Sequence, residues 1–184
     1  MTGRIGHGSY DDLQVAVSGG RLPPANAATW RTWDYGTGGG INFPVLGFDV
    51  GDRFEFFIQT THKTQLSSVL DHHIHWSIPA NSLGDRFQFQ LDVIGAPIGS
   101  SFATLASSPF TVEYILDGTE SGVHKLLDIA NLDAINTTVS TCYICILTRI
   151  AATTNEYGPE VYVFFTDSHV FQDTAGSITE RKKN

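Results

Sequence analysis

Between Val69 and Val93 the chain alternates apolar and polar residues twice, in Leu70-Asp71-His72-His73-Ile74-His75-Trp76-Ser77-Ile78 and in Arg86-Phe87-Gln88-Phe89-Gln90-Leu91-Asp92-Val93. A period of two marks a strand whose faces meet different surroundings. It puts His72, Ile74 and Trp76 on one face of the first run and His73 and His75 on the other. In the second run Phe87, Phe89, Leu91 and Val93 turn inward. The polar break Pro79-Ala80-Asn81-Ser82-Leu83-Gly84-Asp85 lies between them, so the pair predicts an antiparallel hairpin with a longer loop. Strands with one apolar and one polar face belong to an antiparallel sheet covered on one side, or to a sandwich.

The same alternation returns in residues 48–61, in 108–116 through Phe110, Val112, Tyr114 and Leu116, and in 138–151 and 160–172, the last two predicting a second hairpin. Gly51-Asp52-Arg53-Phe54 echoes Gly84-Asp85-Arg86-Phe87; two copies are too few for a repeat protein, and the shared physics is a Gly-Asp turn that delivers an aromatic strand. Residues 123–135 carry Leu126, Leu127, Ile129, Leu132 and Ile135 at mixed spacing, and are expected to form a short helix or loop. About eight strands without βαβ alternation predict an all-β fold, an antiparallel, jelly-roll-like β-sandwich.

Residues 1–40 show little periodicity. Pro23-Pro24 enforces extended backbone and Gly36-Thr37-Gly38-Gly39-Gly40 is too permissive for a packed element. The expected organisation is an extended N-terminal arm over 1–40, anchored by Trp30 and Trp33 and held by a neighbouring chain, then a β-sandwich domain over 41–184. On this reading the arm is dispensable for folding.

Composition narrows the function classes. A chain of 184 residues fits one domain that buries roughly 70% of its unfolded surface, without need of a disulfide or metal staple. Charged residues make up 16% and apolar residues 41%, with 18 Gly and 12 Phe, which suits strands and turns. A net charge of −8 disfavours nucleic acid as a partner. No apolar run reaches membrane-helix length and nothing near Met1 resembles a secretory signal, so production in a cytoplasm and no membrane partner are expected. Cys142 and Cys145 look like a CxxC motif, but a strand sends residues three apart to opposite faces, and two buried thiols are the expectation.

The candidate chemistry is a metal site. His73 and His75 share a strand face, and Asp167-Ser168-His169 repeats the spacing of two, a donor set suited to Zn, Fe or Mn. Against it, further ligands must be guessed and no Glu follows at a suitable interval, so hydrogen bonding at a subunit boundary is the preferred role. No Gly-x-Ser-x-Gly elbow, Cys/His nucleophile pair or phosphate loop is present, and Asp11-Asp12 reads as a solvated turn. No catalytic residue and no cofactor are expected.

Taken together, Asp71-His72-His73-Ile74-His75-Trp76 and Asp167-Ser168-His169-Val170-Phe171-Gln172-Asp173-Thr174-Ala175-Gly176-Ser177 resemble the "HxHW" strand and "DxHxxxDxxGS" end of a family of small virion proteins of tailed bacteriophages, over roughly residues 48–182. The resemblance implies a non-enzymatic β-sandwich, made in the host cytoplasm and assembled into the virion, where a homotrimer decorates or cements the capsid by binding the major capsid protein. The main variant is a neck or tail-fibre module that binds a receptor or glycan. A cupin-like metal-dependent enzyme is the remote alternative. The motif's histidines carry over as structural positions, with His73, His75, Trp30 and Trp33 as candidate contacts between copies.

Overall fold

In the computed structural model the alternating segments stand as strands of two facing antiparallel sheets, and residues 9–34, 42–65, 68–105, 107–132 and 140–172 are described. The seven-stranded sheet has the order β10 (Lys125–Leu132), β6 (Leu70–Ser77), β12 (Val161–Gln172), β4 (Asn42–Phe48), β3 (Thr29–Asp34), with β1 (Ser9–Asp12) and β2 (Val15–Ala16) also paired to β12. The five-stranded sheet has the order β5 (Arg53–Gln59), β11 (Cys142–Ile150), β7 (Arg86–Ala96), β8 (Ala103–Thr104), with β9 (Phe110–Ile115) also on β7. Among the described residues there is one short 3-10 turn, Val17–Gly19, and no α-helix. Ordering β4-β12-β6-β10 against β5-β11-β7-β9 gives the jelly roll, in which most successive strands change layers.

That crossing corrects both predicted hairpins. β6 and β7 lie in opposite sheets, as do β11 and β12. Their apolar faces meet across the interior, which satisfies the same alternation that a hairpin would. The contact is visible in Trp76 against Phe87, ring centroids 4.7 Å apart, and Phe48 against Phe89 at 5.5 Å, both edge to face. Each such buried aromatic stabilises the fold by about 1.5–3 kcal/mol. The segment expected as a helix or loop is also corrected: residues 125–132 form strand β10, and a bulge between Asp128 and Ala130 explains the mixed spacing. The Gly-Asp turns behave as read, with Gly51 at φ +96° and Gly84 at φ +84° leading into β5 and β7, the two neighbours of β11.

The N-terminal segment is a further correction. On the edge of β12 away from β6, β4, β2 and β1 follow one another, paired to residues 161–163, 165–166 and 169–172. Val17, Ala28 and Trp33 are buried. Arg21 is ion-paired to Glu55 and Arg31 to Glu160. Residues 9–34 are therefore built into the sandwich, not extended from it. They lack periodicity because they fill an edge in short pieces. The glycine run 36–40, residues 133–139, the motif end 173–177 and residues 178–184 lie outside the described residues.

Candidate functional site

β12 changes phase in mid-strand. Val161 and Val163 point into the core, a register shift falls between Val163 and Phe165, and beyond it Thr166, Ser168 and Val170 are the inward residues. The bulge puts Asp167 and His169 on the outer face, beside the outward histidines of β6. Without it they would point into the core. Register then sets the neighbours: His73 lies opposite Asp167 on one side and Asp128 on the other, Asp71 opposite His169, and His75 opposite Phe165.

The structure thus brings together all four residues singled out for metal chemistry. His75 Nε2 stands 3.3 Å from Asp167 Oδ1, His73 Nδ1 3.8 Å from the same oxygen, and His169 Nε2 3.9 Å from Asp167 Oδ2. Although they face outward, His73, His75 and Asp167 are only 7%, 9% and 5% exposed. Burial, opposed by Asp167 and reinforced by His124, holds His75 below the usual imidazole range. Three residues not foreseen complete the surroundings: His124, whose Nε2 is 2.7 Å from His75 Nδ1, Asp128, 3.4 Å from His73 Nε2, and Asp12, 3.2 Å from His169 Nε2.

On the inner face His72 Nδ1 is 2.8 Å from Ser168 Oγ and its ring stacks on Phe56. His72 is core, as the alternation predicts.

Next to the cluster runs an aromatic cleft of about 280 Å³ lined by Trp33, Phe43, Gly122, His124, Phe164 and Phe165. Trp33 stacks on Phe164 at 4.7 Å, His75 stacks on Phe165 at 4.0 Å, and Phe43 remains 47% exposed. Of the two anchor tryptophans only Trp30, at 45%, is open to solvent. The signal that could have found the cleft is Phe164-Phe165 itself, two adjacent aromatics that break an otherwise regular alternation.

The CxxC pair departs from expectation in one respect. Cys145 is buried but Cys142 is partly exposed, on the opposite face of β11.

Neither a family profile nor a curated protein matches the sequence. Among solved structures the chain is similar to TmCBM61 in complex with β-1,4-galactotriose, at 9% identity and a TM-score of 0.33, over 89% of this chain and 88% of that one. It is also similar to a structure bearing on the promiscuous specificity of carbohydrate-binding modules from the β-sandwich superfamily, at 8% identity and a TM-score of 0.36, over 92% of this chain and 58% of that one.

Proposed function

We propose that this chain is a non-enzymatic binding module of a tailed-bacteriophage particle, in a neck or fibre position, and that its cleft takes a glycan. The cleft of Trp33, Phe43, Phe164 and Phe165 carries this reading. A sugar ring needs an apolar platform for its C–H face and polar groups for its hydroxyls. Phe43 supplies an accessible ring and His124 a polar group on the wall. The "HxHW" and "DxHxxxDxxGS" residues support the virion assignment, and no residue set for turnover enters the reading. Binding of oligosaccharides, screened on an array and measured by calorimetry, is expected to weaken at least tenfold in Phe43→Ala and His124→Ala. Absence of any saturable sugar binding, or affinity in both variants equal to that of the parent, rejects the glycan.

A second reading, a homotrimeric capsid decoration protein on the major capsid protein lattice, draws on the other sheet. Phe57, Ile144 and Ile94 are cross-strand neighbours on its outer face, with Phe57 exposed. Such a row suits a protein neighbour. Copy number in purified particles separates the two, since a cement protein matches the shell in abundance and a neck or fibre module does not.

A further inference from the structure

The cleft leaves the buried imidazole and carboxylate cluster without a role. Its central atoms are in an unusual state: His73 Nδ1, His75 Nε2 and Asp167 Oδ1 are all buried, and their approaches to one another, at 3.3 and 3.8 Å, are too long or too poorly directed for a good hydrogen bond. One such atom in a native protein calls for an explanation, because a buried polar group without a partner destabilises the fold. Here three converge on one point.

We propose that His73, Asp167 and His169, with His75 as a fourth donor, bind a single divalent transition-metal ion of the zinc class. Donor atoms of the first three all lie within 4.8 Å of one another. The separations from the Asp167 carboxylate are 3.3, 3.8 and 3.9 Å. Donors around a tetrahedral ion with bonds of about 2.0–2.1 Å stand about 3.4 Å apart. The separations from Asp167 lie within about half an ångström of that spacing, and side-chain rotation draws the imidazoles, His75 the furthest, onto a common ion. A cation at the centre satisfies the three orphaned atoms together.

The outer contacts fit the same assignment. Metal-bound imidazoles direct their far nitrogen to a hydrogen-bonding partner, which fixes the tautomer. His73 turns Nε2 to Asp128, leaving Nδ1 toward Asp167, and His75 turns Nδ1 to His124, leaving Nε2 toward Asp167. Three imidazoles and one carboxylate favour a zinc-like ion over Mg or Ca, which prefer oxygen. Asp12 on β1 stands at the rim beside His169. The ion joins the two central strands of the sheet on their outer face, and through Asp12 its influence extends to the N-terminal strand. The inference does not depend on the glycan reading.

The full chain without an affinity tag, stripped with a chelator, is titrated with Zn²⁺ by calorimetry and with Co²⁺ by visible absorption. One ion per chain is expected, with the d–d bands of four-coordinate Co²⁺. Affinity is expected to fall tenfold or more in the isosteric Asp167→Asn and in His169→Ala, the latter at a partly exposed position, and to be unchanged in His62→Ala, in the loop after β5. Circular dichroism of the metal-free variants checks that each is folded, and Zn²⁺ at one concentration is expected to raise the melting temperature of the parent more than that of His169→Ala. Sub-stoichiometric binding by the parent overturns the proposal, as does affinity that survives in both ligand variants.

Discussion

Arg149 is wholly buried and is ion-paired to Glu156, Nη2 to Oε1, at 2.6 Å. The same guanidinium donates to the carbonyls of Phe48 at 2.8 Å, Pro159 at 2.7 Å and Tyr157. It therefore ties β11 to the end of β4 and to the loop leading into β12, which belong to the opposite sheet. Arg149→Met removes the charge at similar volume but leaves three carbonyls without this donor. The expected loss is about 3–5 kcal/mol in chemical denaturation. Glu156→Gln, at a side chain 30% exposed, is expected to cost less. Equal costs for the two variants contradict this account of the pin.

His72 predicts an acid-sensitive fold. Burial, with a smaller contribution from His73, lowers its folded pKa to about 3, against about 6.5 in the unfolded chain. Below about 6.5 the unfolded state binds a proton that the folded state refuses, so stability is complete above that pH and declines as pH falls toward about 3. The slope from this group is about 1.4 kcal/mol per pH unit. Urea denaturation at a series of pH values measures it, and His72→Gln is expected to flatten the curve. A parent and variant with parallel curves would show that other groups set the acid limit.

Removing residues 1–34 is expected to abolish cooperative folding, since it takes away three strands and buried Val17, Ala28 and Trp33. A single carbon tests the same docking. A Cβ at Gly20 would stand 2.3 Å from Phe54 Cε2 and 2.5 Å from the Glu55 carbonyl oxygen. The backbone oxygen has no rotamer by which to yield, so Gly20→Ala is expected to cost about 1–3 kcal/mol. A thermal midpoint equal to that of the parent would mean that the N-terminal strands are not held as described.

The thiols predict a reagent pattern. Burial pushes both Cys142 and Cys145 upward from the ordinary thiol range, Cys145 the further. In the folded protein iodoacetamide is expected to label Cys142 slowly and Cys145 not at all, and in denaturant both. Mass spectrometry gives the count. No internal disulfide is expected, since β11 sends the two side chains to opposite faces.

Much of this was legible in the alternation of apolar residues. Period two marks β6, β7, β9, β11 and β12 and sorts His72 from His73 and His75 correctly, because side-chain direction in a strand is a local property. Pairing is not local. The turn after Ser77 looks the same whether the chain folds back within a layer or crosses to the other, and both misread hairpins are crossings of that kind. The site shows the same division. His73 and His75 are visible as a pair, while their meeting with Asp167 and His169 depends on a bulge at Val163–Phe165 that reverses phase. Asp128 sits in a bulged strand that spacing alone could not recognise and His124 in the turn just before it, and β1–β3 are too short or irregular to announce themselves as sheet.

β12 occupies the middle of its sheet, yet it follows every other described strand in the chain. β4 and β6 flank the place that β12 fills, so each keeps a bare hydrogen-bonding edge until residues 161–172 insert between them. A polypeptide cut short before residue 161 is therefore left with a half-built layer and two sticky margins, the form of this chain most prone to self-association.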